Sequence, residues 1–335
     1  MTSELWLRYD VRNGGMAVPR GALYAAAVEQ VAWADRLGFD AVMIGEHHGA
    51  DDGYIPSPMI LGAAMAARTE KIRFGICAML PLLDPVRLAE DLCVFDNLSA
   101  GRVDVSAGVG YVPAEFRMRG LDMKDRATLI DEAVKALRAA FSGEPFRYRD
   151  KLVRVTPPPV QSGGPPILIG GALKASALRA AKIGDGFIPS VASPELLECY
   201  RIECQRLNRV PGRTICFSGS GFIHVSRDPE RAWSQIGKYL LYEMNAYGKW
   251  AREGGANTGF LPDIPDVEAL KQTGAYFVLT PDECLAHMRR ERKAGRSIMF
   301  NPLCGGMHPD LAWESLQLFA AEVLPRFSPK PATTV

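Results

Sequence analysis

The sequence predicts an α/β protein, a single (β/α)8 TIM barrel over residues 1–335 with two insertion segments. Three observations carry that expectation. Short β-branched runs alternate with longer helical patterns from end to end, the alternation gives eight units, and no early GxGxxG marks a dinucleotide-binding half. Such units imply parallel strands joined by right-handed crossovers. A closed barrel and an open doubly wound sheet both satisfy the pattern, and the strand count favours the barrel. At 335 residues the chain exceeds the ~250 of a bare barrel, which leaves room for insertions.

The elements read in order. Strand Leu5–Tyr9 is followed by a helix over Ala22–Leu37, with Gly38 placed to end it in a left-handed residue. Strand Ala41–Ile44 leads to helix Met59–Ala67, where Ser57-Pro58 offers an N-cap followed by a proline whose missing N–H costs nothing. Ile72–Cys77 passes through Asp84-Pro85 into Val86–Leu98, and Val103–Ala107 precedes Thr128–Phe141. Ile167–Ile169 precedes Lys174–Ile183, with Gly184 as a second left-handed terminator. Phe187–Pro189 runs through Ser193-Pro194 into Glu195–Leu207. Part of Ile215–Val225 supplies the seventh strand, and Asp228-Pro229 opens Glu230–Tyr247. Thr280-Pro281-Asp282-Glu283 has capping-box spacing, and Ser297–Asn301 with Asp310–Leu324 completes the set. The insertions are 142–166, which holds TPPPVQSGGPP, and the glycine-rich 248–276. A long loop of the second kind reads as a lid over the barrel mouth or as a passive surface insertion.

Composition narrows the function classes. Hydrophobic residues make up 47%, charged residues 23% and the formal net charge is +1, the profile of a globular protein with a sizeable core. No basic stripe or aromatic-interleaved patch points to nucleic acid. No run approaches the ~18 apolar residues of a membrane span, and the N-terminus lacks the pattern of a secretory signal. The seven cysteines form no CxxC pair, which reads as reduced thiols in a cytoplasm.

In a barrel the site lies at the C-terminal ends of the strands. The second strand runs into Glu46-His47-His48, which holds two of the five histidines. Neighbours on an extended backbone face opposite ways, so one imidazole is expected in the pocket, while a histidine satisfied by a loop carbonyl is the plain alternative. A metal site needs ligands two apart on one face, as in HxH; EHH does not supply this, and no metal is expected. Strand four ends in Gly108-Val109-Gly110-Tyr111, where missing side chains admit a flat ring or a phosphate. Strand five ends in Gly170-Gly171-Ala172-Leu173-Lys174 and opens a helix, whose free N–H groups make an anion site. Lys174 in the first turn opposes the helix dipole, which suits a bound phosphate or a solvated surface lysine, and Ser176 is a further donor. Cys77 and Ala78 leave strand three among apolar residues, against a planar ring or in ordinary packing.

The runs GFDAVMIGEHH, PSPMILGAAMAARTEKIRFG, PLLDPVRLAEDLCVFDNLSAGRVDVSAGVGYVPAEF and LQLFAAEVLP resemble the bacterial luciferase-like, flavin-dependent monooxygenase family over nearly the whole chain. The resemblance implies a flavin-dependent monooxygenase that oxidises a small organic substrate with oxygen and reduced FMN from a separate flavin reductase. A deazaflavin-dependent hydride-transfer oxidoreductase is the alternative, and a non-catalytic flavin-binding protein is another. By resemblance His47 is the acid/base residue, with His48 and Glu46 beside it. Cys77-Ala78 falls at a non-proline cis peptide under the flavin ring, and 108–111 and 170–176 match loops that hold ring edge and phosphate. Two positions depart from bacterial luciferase: Gly108 replaces a reactive cysteine and Val109 a phosphate-binding arginine. Relatives are commonly homodimers.

Overall fold

The computed structural model describes residues 3–217 and 221–327. Its strands are β1 (Leu5–Tyr9), β2 (Ala41–Ile44), β3 (Arg73–Met79), β4 (Val103–Gly108), β5 (Phe146–Tyr148), β6 (Lys151–Val153), β7 (Ile167–Gly171), β8 (Gly186–Pro189), β9 (Arg213–Thr214), β10 (Ile223–Val225), β11 (Phe277–Leu279) and β12 (Ile298–Phe300). Eight of them form one parallel sheet in the order β12-β1-β2-β3-β4-β7-β8-β9. The sheet curls until its two edges meet: Phe217, just past β9, bridges to Ser297, just before β12, and the Ser297 N–H donates to the Cys216 carbonyl at 2.8 Å.

Alternation along each strand divides the core. Leu5, Leu7 and Tyr9 of β1 pack outward in the large cluster beneath the helices, while Trp6 packs in a small cluster with Ala41, Leu168, Ile188, Ile215 and Met299 inside the curl. Below Trp6 the interior is closed by charges. Arg213 reaches Glu4 at 2.7 Å and Asp104 at 2.8 Å, and Arg73 meets the other Asp104 oxygen at 2.5 Å. Residues two positions further up the same face, Arg8, Met43, Cys77 and Ser106, therefore line the opposite end.

Local signals hold at most helix starts. Asp84, Ser193 and Asp228 accept first-turn N–H groups, and Thr280 with Glu283 forms a capping box. Ser57 makes no side-chain cap bond. Gly38 ends its helix at φ 82°, as expected, but Gly184 is extended at φ −84° because the chain passes directly into β8. The expected helix ending at Tyr247 runs on from Pro229 to Gly254, so the first seven residues of the 248–276 segment are helical. The expected seventh strand divides, with β9 in the main sheet and β10 pairing with β11 in a separate parallel pair. Segment 142–166 holds the antiparallel hairpin β5–β6. The peptide between Cys77 and Ala78 is trans, contrary to the family-based expectation; the cis bond among the described residues is Thr156–Pro157. Here β3 stays in unbroken register with β4 from Phe74–Val103 to Met79–Gly108.

Candidate active site

Glu46, His47 and His48 lie just past the end of β2 and are all buried, at 4%, 6% and 9% exposure. The strand has ended before them, yet their two imidazoles take different partners. The His47 ring and the His48 backbone N–H both meet Glu115, from the short helix Pro113–Met118 that follows Gly110-Tyr111, while the His48 ring turns towards Glu46. One Glu115 oxygen lies 2.8 Å from His47 Nδ1 and accepts the His48 backbone N–H at 2.8 Å. A carboxylate accepts, so this contact puts the His47 proton on Nδ1 and leaves Nε2 without a partner among the described residues. Glu46 stitches β2 to β3 by accepting the Met79 N–H at 2.5 Å. His48 Nε2 lies 3.3 Å from Glu46, within ion-pair range but off the line of a hydrogen bond.

Aromatic rings enclose His47. Tyr54, Tyr111 and Tyr247 meet it edge-on at 4.8, 5.7 and 6.0 Å, and Trp250 lies over it at 4.5 Å with a 34° tilt. Tyr247 and Trp250 come from the helix Pro229–Gly254, whose buried face crosses the mouth. Burial pushes the Tyr54, Tyr111 and Tyr247 phenols upward, so they act as neutral groups.

A charged cluster fastens that helix to β1. Arg12, fully buried, donates from Nε to Asp52 at 2.7 Å, and the same Asp52 oxygen accepts from Tyr242 at 2.8 Å. The Arg12 guanidinium sits 5.2, 5.6, 4.8 and 5.0 Å from the rings of Tyr54, Tyr242, Tyr247 and Trp250. Glu243 accepts from Tyr276, Asn301 and Cys304 at 3.0, 3.0 and 2.8 Å. Burial raises the Asp10 carboxyl, and its Oδ2 has no hydrogen bond.

The glycine sites lie at the same end. Gly108, Val109, Tyr111, Gly170, Gly171 and Ala172 are partly exposed, Gly110 is buried, and Leu173 and Lys174 are exposed. The side chain of Cys77 points into the interior, its thiol pushed up to about 12 by burial, whereas Ala78 packs outward in the core. A Cβ on Gly171 would lie 2.2 Å from Ser176 Oγ, so that position requires glycine. The helix Lys174–Ile183 begins at Leu173 with no side-chain cap, unlike the starts at Asp84, Ser193, Asp228 and Thr280. The Ser176 N–H turns back to the Leu173 carbonyl at 2.9 Å, and those of Lys174 and Ala175 are left for another acceptor. Lys174 also edges a surface groove of about 700 Å³ between this helix and Pro194–Arg206, outside the curl and separate from the residues around His47.

Arg8, Asp10, Arg12, Tyr54, Glu115, Glu243, Tyr247 and Trp250 were missed by sequence reasoning. Two signals could have found some of them: Arg8 inside the apolar run LWLRY, and Glu243 on the apolar stripe that holds Leu240, Met244 and Tyr247.

The luciferase-like monooxygenase family pattern matches residues 6–297, and the chain belongs to that family of oxidoreductases. The limonene 1,2-monooxygenase of Rhodococcus erythropolis is 27% identical over 322 residues, covering 90% of this chain and 81% of that protein. The 4-hydroxyprotoasukamycin monooxygenase of Streptomyces nodosus subsp. asukaensis is 28% identical over 328 residues, covering 90% of this chain and 86% of its own. Among solved structures, monooxygenase RslO1 of Streptomyces bottropensis superposes with TM-score 0.77 at 25% identity, covering 97% of this chain and all 100% of its own. The oxygenating constituent of 3,6-diketocamphane monooxygenase from Pseudomonas putida, in complex with FMN, gives 0.73 at 20% identity, covering 98% and 99%. An F420-dependent secondary alcohol dehydrogenase gives 0.70 at 17% identity, covering 98% and 100%.

Proposed function

We propose that the curled sheet is a closed (β/α)8 barrel whose mouth is the active site of a two-component monooxygenase. It would take reduced FMN from a separate reductase and use oxygen to oxidise a small organic substrate. The single observation that carries this reading is His47, held through Nδ1 by Glu115 at 2.8 Å beneath Trp250, with a free Nε2 at the strand ends. The residues around it fit a flavin. Gly170 leaves an inward position of β7 without a side chain for a flat ring, the Met79 side chain lies over Gly108, and the uncapped helix start with Gly171, Ser176 and Lys174 suits a phosphate.

Bound reduced FMN supplies the electrons that activate oxygen. His47 Nε2, the acceptor nitrogen of this tautomer, would take up a proton at the reacting oxygen while Glu115 fixes the ring and steadies the imidazolium. Glu46 keeps β2 and β3 together beneath it. Tyr54, Tyr111, Tyr247 and Trp250 exclude water, which protects a reactive centre from wasteful hydrolysis. A homodimeric cytoplasmic protein suits the reading, and light scattering reports its assembly.

His47→Ala is expected to lower product formed per reduced FMN by about 10²–10⁴-fold while FMN binding changes little. Unchanged product yield with weakened binding would show that His47 is a cofactor contact instead. The deazaflavin reading is favoured by one observation, Gly108-Val109 where luciferase has cysteine and arginine. Oxygen uptake with reduced FMN but none with reduced deazaflavin separates the two.

A further inference from the structure

We propose that Arg8 anchors a neutral oxygen of the substrate, so that the site selects apolar molecules bearing a carbonyl. The proposal rests on the mouth being the substrate site. Arg8 stands two residues beyond Trp6 on β1 and shares its inward face, one layer above the packed interior. Its side chain is 13% exposed, against 0% for Arg12. Among the described residues its one hydrogen bond runs to the Tyr247 hydroxyl at 2.5 Å. Asp10 and Glu243 approach it only to 3.9 Å, beyond hydrogen-bond reach. A guanidinium carries five N–H donors, so most of those on Arg8 have no protein acceptor.

The surroundings say what such donors can read. Met43, Cys77 and Met79, all partly exposed, share the inward face with Arg8 on the neighbouring strands. Two are thioethers and the third is a neutral thiol, so this wall is apolar and offers no competing charge. The local carboxylates, Asp10, Asp52 and Glu243, outnumber the two guanidiniums. Arg12 pairs with Asp52, and Glu243 and Asp10 flank Arg8 closely enough to offset its charge without occupying its donors. A carboxylate ligand would add an uncompensated negative charge beside Asp10 and Glu243. A ketone or aldehyde oxygen accepts the same hydrogen bonds without that penalty. A hydrocarbon would leave the donors desolvated and unpaired.

The test uses three matched probes: 2-adamantanone, 2-methyleneadamantane and adamantane-1-carboxylate. The full-length chain is titrated by tryptophan fluorescence, first flavin-free and again with saturating oxidised FMN. The ketone is expected to bind at least about tenfold more tightly than the methylene analogue, and the carboxylate more weakly than the ketone. Arg8→Met should remove the ketone's advantage while leaving methylene binding within about threefold. Arg8→Lys keeps a donor and should retain part of the advantage, which guards against a folding defect in the methionine variant. Equal ketone and methylene affinities in the wild type, equal losses of both in Arg8→Met, or tighter carboxylate binding would each overturn the proposal. Failure of FMN to bind would sink the flavin reading alone, because the flavin-free comparison still judges Arg8.

Discussion

Glu115 shows how a site can depend on one residue that takes no part in the visible motif. It receives both His47 Nδ1 and the His48 N–H on one oxygen, from 68 and 67 positions away. Glu115→Ala leaves two buried donors unpaired, which should cost about 1–3 kcal/mol in urea unfolding. Glu115→Gln, which keeps an acceptor oxygen, should cost less. An alanine variant as stable as the wild type would mean that water satisfies both donors. The histidine pair was legible as a candidate because a barrel turns strand ends into site positions. Glu115 was not, because that same reasoning offers no way to pair a strand end with a helix so distant in sequence.

The helix Pro229–Gly254 is the element that brings Tyr247 and Trp250 against His47. Its last turn abuts the loop after β4: a Cβ on Gly254 would fall 1.8 Å from the Tyr111 carbonyl oxygen. Gly254→Ala must therefore push the helix end and Tyr111 apart. We expect a loss of about 1–3 kcal/mol in thermal unfolding and a changed tryptophan emission from Trp250. Thr280→Ala, remote from the mouth, should cost about 1 kcal/mol through its capping box and leave that emission unaltered. An unaltered spectrum in Gly254→Ala would show that the helix end is loosely held. Helix starts were legible because N-caps are local chemistry. The continuation past Tyr247 was not, since it depends on Trp250 and Ala251 packing onto the mouth.

At the scale of the whole molecule, the strand alternation was legible because β-branched runs and helical periodicity are written in every unit. What escaped was the departure of β10 from the main sheet, since its partner β11 lies more than fifty residues downstream. His224 sits on that departing strand, and burial lowers its imidazole to about 4 from an ordinary 6.5. Below pH 6.5 the unfolded chain binds a proton there that the native state refuses, so stability falls as the pH drops towards 4. The gap of about 2.5 units corresponds to roughly 3 kcal/mol. Urea midpoints at pH 7 and pH 4 should differ less in His224→Phe than in the wild type, and equal differences would contradict a buried neutral histidine.

The most direct test of the central claim follows the oxygen atom. The full-length chain, supplied with reduced FMN and isotopically labelled oxygen, is offered an apolar ketone, and the product is analysed by mass spectrometry. The account predicts a product carrying one labelled oxygen atom, lost in His47→Ala. An unlabelled, reduced product formed only with a reduced deazaflavin, and none with FMN, would contradict it.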